Sequence, residues 1–437
     1  MESISLQGGT MKKTEIISGW LIWFLSSLFM FYKYAIEVSP SVMTNELMST
    51  FNIHAAQLGN LAACYFYAYL IMQLPAGILV DRYGPRLVTT LAIFLCATGA
   101  LIFAYSELLV FAEIGRFLTG VGAAFAAINT LKLIANWFPN NRFAFMAGLM
   151  MTLAMLGAVG GQAPLSAFIH HLGTWRHAMG IIALIGGVLA VLFWLVVRDR
   201  AKSLHPFHDV NLTPKRMKVW ESLKKILSNS QSWHLSFYSG LAFAPVMIFG
   251  GLWGVPFIME AFNLSKDYAA RSVSLIFIGF ALGAPFSGWL SDWLGNRRNV
   301  MFFGTILAFF SITTILYVPG LNFFLINTLM FFFGFFISFF LICFTMIREI
   351  NPPILAATAI GFMNAFDAFF GAFSDPLTGK FLDLGWEGKI VDGAHVFPVH
   401  VYKMALLTIP IYLVLSLIFL FFVKETHCKS SYPAQMP

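Results

Sequence analysis

The chain carries few charged residues: Asp, Glu, Lys and Arg make up 11% of its 437 residues. A soluble domain has roughly 25%, so this sequence cannot cover a water-exposed surface of its size, and an ordinary soluble protein is excluded. Cysteine is also scarce, with four residues and no C-x-x-C pair, which excludes a disulfide framework and a metal site built on such pairs. The phosphate-binding pattern G-x-x-x-x-G-K-[ST] is absent, which argues against ATP binding in this chain. No Ser/His/Asp or metal-ligand constellation indicates an enzyme, so we expect no catalytic residues, no cofactor and no metal; His205 and His208 form an HxxH that we interpret as part of a solvated loop.

What the chain has in abundance is apolar sequence. Hydrophobic residues are 59%, and the mean hydropathy is +0.78. Because a bilayer core about 30 Å thick needs roughly 20 apolar residues in a helix, we counted runs of that length. They predict an all-α membrane protein with twelve transmembrane helices, and the first run is too long for a cleaved signal peptide. The predicted spans are 17–44, 55–80, 87–105, 108–137, 142–168, 176–197, 233–262, 266–292, 299–318, 320–347, 354–382 and 402–423.

Basic residues are unevenly distributed among the predicted loops. The loops on one side, with both termini and the linker 198–232, contain Arg82, Arg142, Arg297, Lys424 and a cluster of Lys and Arg, whereas the opposite loops hold few. Positive loops face the cytoplasm, so we predict a multi-pass protein of the bacterial inner membrane with both termini cytoplasmic. The net charge of +7 then reflects topology and contact with anionic membrane lipids, not nucleic acid.

An internal repeat divides the chain. Gly77-Ile-Leu-Val-Asp81-Arg82-Tyr-Gly84-Pro-Arg86 follows the second predicted span, and Gly288-Trp-Leu-Ser-Asp292-Trp-Leu-Gly295-Asn-Arg297 follows the eighth. The offset is 288 − 77 = 211 residues, about half the chain. Similarity at half length is typical of two repeated halves in a transporter. We therefore expect six-helix bundles at 1–197 and 233–437, joined by the linker 198–232.

The first copy resembles the signature loop of the major facilitator superfamily, G-x-L-x-D-R-x-G-x-R. The resemblance extends over the whole chain through spans, linker and repeat, and it implies a monomeric secondary transporter that works by alternating access. It also implies that the repeated loops latch the two halves together in the outward-open state. The latch residues would be Gly77, Asp81, Arg82, Gly84, Arg86, Gly288, Asp292, Gly295 and Arg297. A glycine run in the fifth span, with Gly157, Gly160 and Gly161, resembles the family's pliable segment.

Charges within the predicted spans are the candidates for function, because a charge in lipid is costly. Lys33 and Glu37 are four residues apart and share one face of the first span. Arg116 lies in the fourth span, and Asp367 lies near the middle of the eleventh. The alternative is purely structural: an internal Lys33–Glu37 ion pair, or an Arg116 that simply pairs with Glu113.

The resemblance implies that the first, fourth, seventh and tenth spans line the solute pathway. The substrate-binding residues would then be Tyr32, Lys33, Tyr34, Glu37, Arg116, Asn129 and Trp253. For proton coupling we expect a buried carboxylate, since poor hydration favours its protonated form. Asp367 and Glu37 are the two candidates, and Lys33 beside Glu37 makes Asp367 the better one.

The segment FYKYAIEVSPSVM in the first span resembles the phagosomal transporter branch of intracellular bacteria, which imports amino acids or nucleosides. We therefore predict proton-coupled import of a small polar nutrient such as an amino acid, with the solute, protons and lipids as partners. Three alternatives stay open. The chain could export drugs or siderophores, import nucleosides or organic anions, or be a membrane-embedded sensor or an inert homologue.

Overall fold

The computed structural model describes residues 5–6, 9–10, 13–199, 219–352 and 355–429. Within them, twelve long helical segments follow one another and are called spans 1 to 12 below. Their bounds are Lys13–Val38, Ala55–Tyr83, Pro85–Tyr105, Leu109–Trp137, Asn140–Gly160 with Ala163–Leu172, Trp175–Val196, Ser230–Phe262, Lys266–Leu294, Arg297–Tyr317, Phe323–Glu349, Ala356–Leu384 and Val399–Phe421.

Several spans are interrupted. Span 4 consists of Leu109–Ala123 and Ala126–Trp137, and span 12 of Val399–Ala405 and Thr408–Phe421. Span 7 runs as Ser230–Pro245, a π-helical stretch Val246–Trp253, and Gly254–Phe262. Span 10 runs as Phe323–Ile337, a 3-10 turn Ser338–Leu341, and Ile342–Glu349. Wider or tighter turns of this kind often mark places where a helix bends.

Short elements complete the described chain. A 3-10 turn Ser39–Val42 and the helix Thr44–Phe51 connect spans 1 and 2, and the helix Val219–Leu227 precedes span 7. Two antiparallel strand pairs are present, Ser5–Leu6 with Gly9–Thr10 and Ile390–Val391 with Ala394–His395.

The helices have the length and composition of membrane spans. Among the described residues, ten of the twelve are apolar and long enough to cross a bilayer. Spans 2 and 11 have 29 residues each, about 44 Å of helix. Large apolar side chains point outward, such as Leu184 and Leu195, both 68% exposed, and Phe324, 78% exposed. The prediction of an all-α membrane protein is therefore confirmed.

The predicted boundaries agree with the observed ones to within a few residues. The largest difference is at the end of span 1, which was expected to reach residue 44 but ends as an α-helix at Val38. The chain continues as the turn Ser39–Val42, where Pro40 has no N–H to donate to the helix. The four residues of this turn are buried like those at the end of the helix, although Pro40 and the serines on either side of it mark the place where the helix stops.

The packing of the two halves follows the repeat. In the N-terminal half span 5 packs on span 1, span 4 on spans 2 and 3, and span 6 on span 3. Adding six to each number gives the C-terminal contacts: span 11 on span 7, span 10 on spans 8 and 9, and span 12 on span 9. Between the halves, span 2 packs on span 11 and span 8 packs on span 5. These two contacts are equivalent, because exchanging the halves turns one into the other. Two equivalent bundles thus enclose the space between them.

Helix ends are satisfied by side chains from the loops. Asn296 accepts a hydrogen bond from the Asn299 N–H (2.8 Å) at the start of span 9, and Asn322 accepts from Leu325 N–H (2.8 Å) at the start of span 10. Such caps satisfy the first backbone N–H groups of a helix. The loops after spans 2 and 8 turn at Gly84 (φ 81°) and Gly295 (φ 61°), which occupy matching places in the repeat. A positive φ of this kind is readily adopted by glycine.

Candidate functional site

A cavity of about 520 Å³ lies between the two halves. Nine of its lining residues have hydrogen-bonding side chains and come from spans 1, 2, 10 and 11: Lys33, Tyr34, Glu37, Tyr65, Tyr69, Thr345, Arg348, Asn364 and Asp367. Volumes of roughly 300–1,000 Å³ are usual for small-molecule sites. The cavity is therefore large enough for a metabolite-sized solute and is contacted by both halves.

The polar centre of the N-terminal wall is an ion pair. Lys33 Nζ is 2.5 Å from Glu37 Oε2, and the two side chains are only 6% and 3% exposed. Tyr65 of span 2 donates a hydrogen bond from its hydroxyl to the same Glu37 oxygen (2.8 Å). The ammonium also lies 3.6 Å from the ring centre of Tyr34 and 5.2 Å from that of Tyr69, within cation–π range. The helical spacing thus produces the pair that the sequence predicts, and span 2 adds an aromatic enclosure.

Arg116 binds the backbone of span 1 next to this ion pair. Its Nη1 donates to the carbonyl oxygen of Ile36 (2.9 Å) and its Nη2 to the backbone carbonyl of Glu37 (3.3 Å). These carbonyls belong to the last turn of span 1, where a cation is favoured by the helix dipole. Glu113 instead accepts a hydrogen bond from Asn60 (2.8 Å), so the alternative Arg116–Glu113 pairing is not observed. Arg116 therefore holds the end of span 1 and is not among the cavity-lining residues.

The C-terminal wall presents a second carboxylate. Asp367 of span 11 is 8% exposed and accepts a hydrogen bond from Ser239 of span 7 (2.6 Å). Among the described residues it has no ion-pair partner, in contrast to Glu37. Asn364, one turn earlier, lines the same cavity. The Ser239 hydroxyl can donate a hydrogen bond to the Asp367 carboxylate or accept one from the protonated carboxyl group. This site can therefore accommodate either form of Asp367.

Most of the remaining wall is apolar. Span 5 contributes Met150, Met151 and Met155, and spans 7, 8 and 10 contribute phenylalanines. Methionine side chains are flexible and polarisable, so they adapt to differently shaped apolar groups. The cavity therefore joins a small charged region to a large apolar one.

Besides Arg116, three more of the predicted substrate-binding residues lie away from the cavity wall. The hydroxyl of Tyr32 points at span 6, so close to Gly186 that an added Cβ there would be 2.1 Å away. Asn129 in span 4 and Trp253 in span 7 are 0% and 1% exposed. Their side-chain polar atoms have no hydrogen-bond partner among the described residues. All three side chains are buried, and none of them lines the cavity.

Polar contacts join the two halves at the end of the bundle opposite the basic loops, called the far end below. Lys266 pairs with Glu46, and Ser166 donates a hydrogen bond to Asp267 (2.7 Å). Gln162, at the break in span 5, donates to the backbone carbonyl of Gly250 in the π-helical stretch of span 7 (2.6 Å). The far end is therefore closed in this structure.

Spans 2 and 11 close the far end by direct backbone packing. The carboxylate of Asp383 accepts hydrogen bonds from the N–H groups of Ala55 and Ala56 (2.9 and 2.8 Å). A Cβ added at Gly59 would be 2.4 Å from the carbonyl oxygen of Asp375 and 2.8 Å from Cα of Pro376. Glycine at position 59 is what permits this approach.

The second copy of the repeated loop forms a charge network at the basic end. Arg297 contacts Asp292 (2.6 Å) and Glu349 of span 10 (3.1 Å). Glu425, which follows span 12, accepts hydrogen bonds from the backbone N–H groups of Arg297 (2.9 Å) and Arg298 (2.7 Å). Although partial burial acts in the opposite direction, these backbone donors and those of Thr426 and His427 hold the pKa of Glu425 below its ordinary value.

The first copy is arranged in the same way around Asp199. This carboxylate follows span 6 and accepts a hydrogen bond from the Arg86 N–H (2.7 Å). The Arg86 guanidinium donates to the carbonyl of Trp194 (2.7 Å) and stacks on its ring. The Arg82 guanidinium lies over the Tyr83 ring (5.3 Å), and the side chain of Asp81 lies outside the part that the structure describes. A Cβ added at Gly77 or Gly288 would meet no atom within 4 Å, so neither glycine is in tight contact here.

The span 5 glycines pack within the N-terminal half. A Cβ at Gly157 would be 2.1 Å from the carbonyl oxygen of Phe31, and one at Gly161 would be 2.3 Å from that of Ala35. The two glycines are four residues apart and let span 5 approach span 1 closely. Their spacing accounts for close packing, and any hinge motion at this point remains a prediction.

Several residues of these sites were not predicted from the sequence. Ser239 is one of four serines in the first part of span 7, and only tertiary packing shows that it faces Asp367. Gln162 had a local signal, a lone amide between two glycines and a proline. Asp199 and Glu425 had a better one, because each is an acid that ends a half after its sixth span.

This architecture defines the class of protein: two equivalent six-helix halves around one central cavity form a multi-pass membrane transporter. The sequence profile of the Major Facilitator Superfamily matches residues 20–374 and 235–435. The chain therefore belongs to this superfamily, and the resemblance seen in the repeated loops is confirmed.

Individual relatives agree with this assignment. The uncharacterized transporter YybO of Bacillus subtilis (strain 168) is 25% identical, over 67% of this chain and 72% of its own. A probable hexose phosphate transport protein of Chlamydia pneumoniae is 25% identical, over 85% of this chain and 88% of its own. A bacterial homologue of the human lysosomal transporter Spinster, in an inward-facing and unoccupied conformation, superposes with a TM-score of 0.77 at 16% identity, over 95% of this chain and 99% of that one. These similar proteins are transporters, not enzymes.

Proposed function

We propose that this chain imports a small polar nutrient such as an amino acid by proton-coupled alternating access. The observation that carries the proposal is the buried Lys33–Glu37 pair on one wall of the central cavity, with Asp367 on the other. A solute with both charges can engage both members of such a pair, whereas a neutral drug would leave them desolvated without compensation. This favours a zwitterion over the hydrophobic solutes of a drug exporter.

The apolar part of the cavity narrows the choice of amino acid. Met150, Met151 and Met155 face the same space as the phenylalanines of spans 7, 8 and 10. We infer that the charged end of the solute binds near Lys33 and Glu37 while an apolar side chain lies against the methionines. Apolar and aromatic amino acids fit this arrangement better than acidic ones.

Organic anions are the second candidate. Arg348 lines the basic end of the cavity and, with Lys33, provides a second cation. The similar protein from Chlamydia pneumoniae is named for hexose phosphate transport, and such a solute is anionic. If the solute is an organic anion, Arg348 is expected to contribute more to binding than Glu37. Nucleosides remain a third possibility, since the likeness of the segment FYKYAIEVSPSVM to the phagosomal branch includes them.

The arrangement of the chain in the membrane is part of the proposal. We place residues 1–197 and 233–437 in the two bundles, with the basic linker 198–232, both termini and the basic loops in the cytoplasm of a bacterial inner membrane. The linker would contact anionic lipids, and the transporter would act as a monomer. The closed far end then faces outward, and the structure corresponds to a state open to the inside.

In this arrangement the repeated loops act as the latch of the opposite state. The Gly77 and Gly288 surfaces have space beside them, as expected if the halves meet there only when the cytoplasmic side closes. Asp81, Arg82, Gly84 and Arg86 would make this contact with the opposite half. Among the counterparts in the second copy, Arg297 already pairs with Asp292 and Glu349, and its backbone N–H donates to Glu425.

Asp367 is the group we propose for proton coupling. Glu37 is already paired with Lys33 and accepts a hydrogen bond from the Tyr65 hydroxyl. Among the described residues, the hydrogen-bond partner of the Asp367 carboxylate is the Ser239 hydroxyl, which can also accept a hydrogen bond from a protonated carboxyl. A group that is stable in both forms, at the boundary between the halves, can load and release a proton as access alternates.

The identity of the solute is tested by binding to purified protein. Thermal stability is measured with a panel of apolar, aromatic and acidic amino acids, nucleosides, sugar acids and hexose phosphates, because a bound solute raises the melting temperature. We expect apolar or aromatic amino acids to stabilise wild type and to be taken up by proteoliposomes. Stabilisation by anions alone, lost in Arg348→Gln but kept in Glu37→Gln, would replace the amino-acid proposal with the organic-anion one.

Coupling is tested with an imposed pH gradient in proteoliposomes. Wild type should concentrate the solute, whereas Asp367→Asn should lose accumulation and keep exchange of internal for external solute. Ser239→Ala is the matched variant, because it removes the hydrogen bond but keeps the carboxyl group. Accumulation that survives in Asp367→Asn and disappears in Glu37→Gln would assign the proton to the other carboxylate.

A further inference from the structure

Two histidines from opposite halves meet at the far end. His54 precedes span 2, and His395 lies in the strand Ala394–His395 between spans 11 and 12. Their Nδ1 atoms are 3.5 Å apart, and their ring centres are 4.8 Å apart. The carboxylate of Asp383 is the third member, and the three possible ligand atoms lie within 4.8 Å of one another. The positions are 341 residues apart in sequence, so no spacing motif marks them.

The distance between the two nitrogens suits a metal ion. Zinc binds imidazole nitrogen at about 2.0–2.1 Å in tetrahedral geometry, which places two such nitrogens about 3.3 Å apart. The observed 3.5 Å requires almost no movement. In the absence of an ion, one nitrogen must be protonated for the pair to form a hydrogen bond, whereas a metal accepts the lone pairs of both.

The surrounding groups hold the ligands in place. Asp383 is oriented by the N–H groups of Ala55 and Ala56, which leave further lone pairs on its oxygens. The ring of Trp386 stacks on His395, with centres 3.8 Å apart and planes 3° apart. Fixing of ligands by neighbouring groups is typical of metal sites. His54 is exposed, so the cluster is open to solutes at the far end.

We propose that His54, His395 and Asp383 bind a zinc-class divalent metal ion that bridges the two halves and holds the far end closed. His54, directly before span 2, supplies one ligand, and Asp383 at the end of span 11 and His395 after it supply the others. Alternating access must separate these elements. An ion bound only to the closed arrangement shifts the equilibrium towards it, about 100-fold when free metal is 100 times its dissociation constant. The bridging site stands on geometry alone; its effect on transport rests on the proposed function.

Binding is measured by calorimetric titration of ZnCl₂ into untagged, chelator-treated full-length protein. Wild type should bind one ion per chain, and His54→Ala and His395→Ala should each weaken binding at least tenfold. His400→Ala is the matched control, because His400 is exposed and pairs instead with Glu387 (3.4 Å). Asp383→Asn, which keeps an oxygen to accept from span 2, should also weaken binding. No saturable binding, or binding that survives in the His54→Ala/His395→Ala double variant, overturns the site.

The bridging effect is measured without any solute. Spin labels on Glu107→Cys and Val318→Cys, exposed positions after spans 3 and 9, report the width of the far end. Zinc should increase the short-distance population in wild type and leave it unchanged with His54→Ala. Tight zinc binding with no change in distance overturns the bridging. If zinc narrows the distances but no solute is taken up, the proposed function fails and this inference stands.

Discussion

The closed far end depends on one glycine, and a single methyl group should open it. In Gly59→Ala the new Cβ would lie 2.4 Å from the carbonyl oxygen of Asp375, 2.6 Å from its carbonyl carbon and 2.8 Å from Cα of Pro376. All three are backbone atoms, so no side chain can rotate away. Ordinary contact requires spans 2 and 11 to separate by about 1 Å.

The magnitude follows from the cost of overpacking. An extra methyl group in a closely packed contact costs about 1–3 kcal/mol. If the outward-open arrangement separates spans 2 and 11, the cost falls on the closed state alone. The ratio of closed to open molecules should then fall by about 5- to 150-fold. A protein that favours the closed state tenfold would become mostly open at the upper part of that range.

The assay uses the spin-label pair at positions 107 and 318, with the four native cysteines replaced by alanine. Gly59→Ala should move population from the short to the long distance. The control is Gly361→Ala in span 11, since a Cβ there meets no atom within 4 Å. A Gly59→Ala distribution that matches both wild type and the control would refute the idea that this contact sets the equilibrium.

Three further predictions concern the cavity and the basic end. Lys33→Ala and Glu37→Ala should each weaken solute binding at least tenfold and lower the melting temperature, because each leaves a buried charge unpaired. The double variant Lys33→Met/Glu37→Gln should regain stability without regaining solute binding. If this double variant binds the solute normally, the pair has a purely structural role. Asp81→Asn should slow turnover in proteoliposomes more than it changes solute affinity, and equal uptake rates would count against the latch. Glu425→Gln should lower stability by about 1 kcal/mol, as for loss of a helix cap. Because the folded state depresses the pKa of Glu425, this stabilisation exists above the ordinary carboxyl pKa and is lost as the pH falls through the depressed pKa. The melting temperatures of wild type and variant should therefore converge in acid.

Local sequence was sufficient for the features that depend on period and composition. Apolar runs predicted the spans, and the 211-residue repeat predicted two halves whose internal contacts are equivalent. The i, i+4 spacing predicted the Lys33–Glu37 pair, because helix geometry alone places these side chains together. The repeated loops also predicted the superfamily, and the profile match to residues 20–374 and 235–435 confirms it.

What could not be predicted depends on how helices rotate against one another. Tyr32 is next to Lys33 in the chain, but its face of span 1 turns towards Gly186, away from the cavity. Asn129 and Trp253 are also buried away from the cavity wall. The distance between His54 and His395 is likewise a product of tertiary packing. The rotation of each helix about its own axis depends on side-chain volumes in several helices, so the sequence of a single span does not determine it.

The three methionines of span 5 that line the cavity have a consequence for selectivity. A rigid pocket distinguishes side chains by shape, but a wall of flexible thioethers can reshape itself around each of them. One methylene more or less on an apolar group changes binding by only about 1–3 kcal/mol even in a well-formed pocket, and an adaptable wall narrows that difference. Discrimination would then come from the charged end of the cavity. Such a protein would suit a cell that must gather several related nutrients through one gene product, with competition among them set by their relative concentrations.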